Sequence, residues 1–246
     1  VGVNHQKHSF LYRMSPIKIV IKQSVVLLTA LLLASAAGMG FVFLCGQADV
    51  HGDIVYTLSA NVYGIAWLVL FSLFTKNCKK IKLNQIKPTE SFHFTAALRY
   101  CLILLGGTAV LSFLTDSVIA GVNALSGKEI FGTESVVSAF ENVPLPLAAL
   151  CIVIIAPVAE ELLFRKVLLE NLLLLGKRKA VIANGILFGI MHINAEQLLY
   201  TVFSGMVYAL VVVRTGKIIN AVCLHMVFNL SGGIILPALA EMITGS

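Results

Sequence analysis

Long apolar runs constrain the fold of this chain more than any other feature of its sequence. A helix rises 1.5 Å per residue, so about 20 apolar residues cross the roughly 30 Å hydrocarbon core of a bilayer. Runs of this length, without regular alternation of polar and apolar residues, argue against a β-barrel. They extend over residues 24–45, 54–75, 96–122, 145–169, 180–193, 198–213 and 218–240. We therefore predict an all-α, polytopic transmembrane bundle of seven segments, or eight if Gly232, Gly233 and Pro237 divide the last run.

Composition excludes a soluble globular protein. Hydrophobic residues make up 58% of the 246 residues and charged residues only 12%, whereas soluble domains carry roughly a quarter charged residues. The net charge of +6 comes from lysines and arginines that lie almost wholly between the apolar runs. This distribution is a topology signal. We expect the lipid bilayer, and not nucleic acid, to be the environment of the chain.

The positive charges also orient the bundle. Basic residues precede the first run and follow the second, fourth and sixth runs, whereas the loops at 46–53 and 126–143 are mainly acidic. Because cytoplasmic loops collect lysine and arginine, we predict a cytoplasmic N-terminus. The first run is longer than a signal-peptide core, so it is expected to remain as an anchor. A compact chain without a retrieval signal favours a prokaryotic plasma membrane.

The chain shows neither an internal repeat nor a soluble region, which predicts a single membrane domain over residues 1–246. Its five cysteines are scattered and contain no CxxC pair. Neither a disulfide framework nor a zinc knuckle is therefore indicated.

Three charged residues interrupt the fourth apolar run. An ionised residue near the centre of a membrane helix costs roughly 2.5–3.5 kcal/mol on insertion scales, so Glu160, Glu161 and Arg165 require an explanation. Glu161 and Arg165 have the spacing and order of a favourable intrahelical ion pair. Glu160 points about 100° away from its neighbour, which makes it the candidate reactive carboxylate. The alternative is that all three anchor the helix in a solvated interface.

Further polar side chains occur in later apolar runs. His192 follows Phe188 by four residues, and His225 and Asn229 share one helix face at the same spacing. Buried polar groups need partners, and Glu160 offers one. Counted from the cytoplasmic helix ends, these side chains differ in depth by about 10 Å, so we expect a tilted or broken helix.

Three motifs, in this order on successive apolar runs, carry a resemblance: EELLFR at 160–165, FGIMH at 188–192 and HMVFN at 225–229. They resemble the EExxxR, FxxxH and HxxxN motifs of the CAAX protease and bacteriocin-processing (CPBP, or Abi) family. These intramembrane glutamic endopeptidases include the type II CAAX prenyl proteases. The resemblance covers residues 144–230, the expected catalytic core.

The resemblance implies a role for each motif residue. Glu160 and His192 would activate a water molecule, and His225 and Asn229 would stabilise the oxyanion. This division suits the chemistry, because a carboxylate can accept a proton, whereas an amide and an imidazole N–H can donate to developing negative charge. The other charged members of the first motif, Glu161 and Arg165, would support the site.

Two alternatives to this interpretation stay open. Glu160, His192 and His225 could supply the ligands of a catalytic zinc, although the chain has no HExxH motif; we predict no cofactor. A non-catalytic immunity protein, regulatory scaffold or transporter could keep the same residues as a polar core.

The predicted function is hydrolysis of a peptide bond in a membrane-associated peptide or protein, at a site that opens to the cytoplasm. The motif residues do not decide whether the substrate is a prenylated C-terminus or a pheromone or bacteriocin precursor.

Overall fold

Helices account for all regular structure in the described part of the chain. The computed structural model describes residues 15–47, 52–128 and 143–244, and these ranges contain no β-strand. A 3₁₀ turn at Leu83–Gln85 lies between the second and third helices. The helices in these ranges are α1 Pro16–Gln47, α2 Gly52–Thr75, α3 Phe94–Ser126, α4 Leu145–Leu175, α5 Lys177–Ile190, α6 Ala195–Thr215 and α7 Ile218–Thr244.

Six of these helices are long and apolar enough to cross a membrane, which confirms the predicted polytopic bundle. Each of the seven predicted runs forms a helix, but α5 has only 14 residues. At 1.5 Å per residue it is about 21 Å long, too short to span the hydrocarbon core. The last run is one continuous helix, because a π-helical turn at Ser231–Ile235 accommodates its two glycines without a break.

Two further π-helical segments lie in α4, at Leu150–Ile155 and Leu162–Leu168. They flank Ala156–Glu161, the short α-helical stretch that carries both candidate glutamates. A π turn inserts an extra residue and re-aims the side chains that follow it, and such turns are frequent at functional sites. The irregularity of α4 therefore coincides with the predicted catalytic segment.

Helices α5 and α6 approach each other closely through glycine. A Cβ atom on Gly185 would lie 2.3 Å from Met206 Cγ, and one on Gly189 would lie 2.3 Å from Val202 Cγ2. The GxxxG spacing thus lets two helix backbones pack at a distance that larger residues would prevent. This contact holds the end of α5, and with it His192, against α6.

One end of the bundle, which we call the basic end, is where α1, α3, α5 and α7 begin and α2, α4 and α6 end. The connection between α2 and α3 folds over it and is fastened to α4: Ile81 N–H donates to the Glu170 backbone carbonyl at 2.9 Å, and Leu83 N–H donates to Glu170 Oε1 at 3.0 Å. Glu170 also pairs with Lys166 at 2.7 Å. Leu83 and Ile86 of this connection are buried, so the basic end is closed by packed side chains.

Lysines and arginines collect at the basic end. Some of the charged residues on which the predicted orientation depends lie outside the described residues. They are Lys7, Arg13 and the acidic residues at 48–51 and 129–142. The described members of the basic group are Lys18, Lys22, Lys76, Lys79, Lys80, Lys82, Lys87, Arg99, Lys166, Lys177, Arg178, Lys179, Arg214 and Lys217.

Candidate active site

A cavity of about 970 Å³ lies between α2, α3, α4, α6 and α7. Glu160 from α4, His192 from the turn after α5, and His225 and Asn229 from α7 all line it. The structure therefore brings together on one surface the four polar side chains that the sequence motifs single out. Most of the remaining wall is apolar, as in small-molecule and peptide sites where a few polar groups determine the chemistry.

Glu161 and Arg165 form a fully buried ion pair within α4. Arg165 Nε lies 3.1 Å from Glu161 Oε2, and both side chains have no exposed surface. The guanidinium also donates from Nη2 to the Gly205 carbonyl at 3.2 Å and lies 4.4 Å from the ring centre of Phe188 and 5.2 Å from that of Tyr208. This is the ion pair that the spacing of the two residues predicts. It keeps both charges compensated where neither side chain has access to solvent.

The same carboxylate has a second partner that sequence reasoning missed. His225 Nδ1 lies 2.9 Å from Glu161 Oε1, across from α7 to α4. The imidazole also stacks on Tyr208, with ring centres 4.8 Å apart and planes inclined by 19°. Since an ionised carboxylate can only accept, Nδ1 carries a hydrogen. Glu161 therefore orients the ring of His225 and directs Nε2 towards Glu160.

Glu160 differs from Glu161 in its exposure and in its partners. Its side chain is 33% exposed, whereas that of Glu161 has no exposed surface. Glu160 Oε2 lies 3.9 Å from His225 Nε2, which is too long for a hydrogen bond and leaves the carboxylate able to bind another partner. The two adjacent glutamates have separate environments, as their positions on the helix predict.

Asn229 is held by a carbonyl that the π-helical turn of α4 leaves without a backbone donor. In this turn Ala156 N–H bonds to Cys151 O, so it does not serve Ile152 O. The next N–H in π register would come from residue 157, which is proline and has none. Asn229 Nδ2 supplies the missing bond, donating to Ile152 O at 2.9 Å. A carboxamide has two N–H groups, so one remains for a ligand in the cavity.

His192 is oriented by the helix that precedes it, α5. Its Nδ1 lies 2.7 Å from the Phe188 carbonyl, four residues earlier, and its ring packs edge-to-face on Phe188 with centres 4.7 Å apart. A carbonyl only accepts, so Nδ1 is the protonated nitrogen and Nε2 of the neutral ring keeps its lone pair. The next residue, Ile193, has a φ of 50°. A β-branched residue in this region is strained, and such strain is often found at functional sites.

His192 and Glu160 do not touch directly. Within the described ranges they line the same cavity, but no hydrogen bond or ion pair joins them. Phe188 separates the two histidines, with its ring centre 4.7 Å from that of His192 and 6.0 Å from that of His225. The arrangement leaves a space that a water molecule and a peptide carbonyl could occupy.

The described residues contain no group of three or more His, Cys, Asp or Glu side chains placed to hold a metal ion. His225 Nδ1 is engaged by Glu161, so only Nε2 faces the cavity. The zinc alternative would therefore need Glu160, His192 and His225 to rearrange.

Comparison with known proteins bears on the segment that carries the motifs. Residues 142–231 match the family model described as type II CAAX prenyl endopeptidase Rce1-like. No curated protein matches the chain. No solved structure matches it either. Through this segment, which carries all three motifs, the chain is similar to the CAAX protease and bacteriocin-processing family of membrane proteases.

Proposed function

We propose that this protein is an intramembrane glutamic endopeptidase that hydrolyses a peptide bond of a membrane-associated protein without a metal cofactor. The observation that carries the proposal is the contrast between the two glutamates. Glu161 is completely buried between Arg165 and His225, whereas Glu160 is one-third exposed in the cavity and lies 3.9 Å from His225 Nε2, beyond hydrogen-bond distance. A carboxylate that accepts no hydrogen bond from these neighbours, in a mainly apolar cavity beside oriented histidines, is suited to general base catalysis.

Glu160 and His192 are proposed to activate the water. The unprotonated Nε2 of His192 accepts one O–H of the water, and the Glu160 carboxylate accepts the other. As the water oxygen bonds to the peptide carbonyl carbon, its proton passes to Glu160. The resulting carboxylic acid then donates this proton to the leaving amine as the C–N bond breaks, which regenerates the carboxylate.

His225 and Asn229 are proposed to stabilise the oxyanion of the tetrahedral intermediate. Asn229 contributes the N–H that is not bonded to Ile152 O. His225 donates from Nε2 when its ring is protonated on both nitrogens, while its Nδ1 is held by the Glu161 carboxylate at 2.9 Å. The bonds to Ile152 and Glu161 fix both donors before substrate binds, and such preorganisation is the main source of oxyanion stabilisation.

The proposal is tested by comparing membrane proteomes of cells that produce the wild-type protein, Glu160→Gln or Glu241→Gln. Glu241 is an exposed glutamate of α7 that does not line the cavity, so its variant is a matched control. We expect at least one membrane-associated precursor to accumulate with Glu160→Gln alone. Equal processing by all three would indicate a non-catalytic protein. Loss of wild-type processing on chelation, restored by zinc, would instead support the metal mechanism.

A further inference from the structure

The cavity is closed at the end that faces the basic loops. Its floor is formed by four packed aromatic side chains, Trp67, Phe164, Phe188 and Tyr208, all of them buried. Trp67 packs edge-on against Phe164, with ring centres 5.6 Å apart, and Phe164 packs edge-on against Phe188 at 4.9 Å. Edge-to-face contact is a favoured arrangement of packed aromatic rings. These buried rings therefore form the boundary of the cavity on the side of the basic end.

Below this floor the described part of the bundle is packed with fully buried side chains. Leu168, Leu172, Val211, Val212 and Ala221 all have no exposed surface. The connection between α2 and α3 then covers the same end of the bundle, as its hydrogen bonds to α4 and α6 show. A peptide could not reach the cavity from this side without displacing these buried side chains.

The cavity extends in the other direction. Its wall reaches Thr57 near the start of α2, Asn123 near the end of α3, Glu196 and Gln197 in the first turn of α6, and Leu236 in the last part of α7. All these positions lie towards the end of the bundle opposite the basic end. The mouth of the cavity is therefore at this opposite end.

The distribution of lysine and arginine indicates which end of the bundle faces the cytoplasm. Among the described residues, Lys128 is the one lysine or arginine near the opposite end, whereas the basic end carries the whole group defined above. Positive charge in short loops marks the cytoplasmic side. The described cavity wall agrees with this polarity, because it contains Asp116, Glu160 and Glu196 but neither lysine nor arginine.

We propose that the candidate active site is entered from the extracytoplasmic face of the membrane. This differs from the opening to the cytoplasm expected from the sequence, because the packed half of the bundle lies on the basic side. One consequence, which rests on the proposed peptidase function, concerns the substrate. It is a protein whose cleavage site lies at or beyond the outer leaflet. Prenylated C-termini in the cytoplasm do not meet this requirement, whereas translocated peptide precursors do.

The side of entry is tested by cysteine labelling in spheroplasts of a bacterial expression host. Gln197→Cys at the mouth and Lys79→Cys at the basic end are each introduced after the native cysteines are replaced by alanine. A membrane-impermeant maleimide is expected to label Gln197→Cys in intact spheroplasts, and Lys79→Cys only after permeabilisation. The reverse pattern would overturn the inference. The residues to be replaced by alanine are Cys45, Cys78, Cys101, Cys151 and Cys223.

A second measurement covers the case in which neither thiol reacts in intact spheroplasts. The precursor that accumulates with Glu160→Gln is exposed to an added protease. Digestion at its cleavage site in intact spheroplasts supports extracytoplasmic entry, and protection until permeabilisation contradicts it. If no precursor accumulates, the proposed function fails, while the labelling pattern still reports the side of the opening. The two failures are thus distinguishable.

Discussion

Removing one partner of the buried Glu161–Arg165 pair should destabilise the protein far more than removing both. Arg165→Met leaves an uncompensated carboxylate, and Glu161→Gln leaves an uncompensated guanidinium, where neither side chain has exposed surface. Breaking a buried pair in this way costs about 3–5 kcal/mol, whereas replacing both charges is often close to neutral.

Three features of the structure set the size of the effect. The pair is 3.1 Å apart, but Arg165 Nη1 has no hydrogen-bond acceptor among the described residues. Glu161 also holds His225, and a glutamine in its place can still accept that hydrogen bond. The double variant therefore loses the charges but keeps this contact. We expect a coupling free energy of about 3 kcal/mol, roughly a hundredfold in the unfolding equilibrium.

The chain contains its own probe for this measurement. Trp67, the single tryptophan, packs against Phe164 and donates from its indole to the Leu27 carbonyl at 3.0 Å. Its fluorescence reports the packing next to the ion pair during titration of micelle-bound protein with SDS. We expect each single variant to unfold at a clearly lower SDS fraction than the double variant. Additive effects in the double variant would refute the role assigned to the pair.

Two further predictions follow from the packing around the site. Asn229→Leu should lower kcat by about 10²–10³, the usual cost of one oxyanion donor, and should reduce stability because Ile152 O loses its partner. Adding Pro157→Ala to this variant supplies a backbone N–H for Ile152 O. It should restore stability, measured by SDS titration, but not kcat. Gly189→Leu should lower activity by displacing α5 and His192, since a Cβ there already meets Val202 at 2.3 Å; Gly40→Leu, where nothing lies within 4 Å, is its control.

The membrane helices were predictable because each depends on local composition. Helices α1, α2, α3 and α6 contain their predicted runs and extend them by up to eight residues at the ends. The exception is α5, which ends at Ile190, before the predicted end of the run. Hydrophobicity alone does not report that the chain leaves the helix there through the strained Ile193.

The ion pair of Glu161 with Arg165 was also predictable, since four-residue spacing determines it. The contact of Glu161 with His225 was not predictable, because the two residues lie on different helices and are 64 positions apart in the sequence. The contact of Asn229 with Ile152 was not predictable either, because it depends on a local irregularity: the π turn before Pro157 leaves Ile152 O without a backbone donor, and Asn229 bonds to it. Proline within an apolar run was the available signal for this contact. The direction of the cavity depends on which half of the bundle packs tightly, and no local pattern encodes that.

The central claim is that Glu160 is the general base of a peptidase. Its most direct test is the rate of precursor cleavage by purified wild-type protein and Glu160→Gln, each reconstituted in liposomes with a chelator present. We predict cleavage by the wild-type protein and a loss of at least about a hundredfold for the variant, with unchanged Trp67 fluorescence. A Glu160→Gln rate within a few-fold of the wild-type rate would contradict the claim.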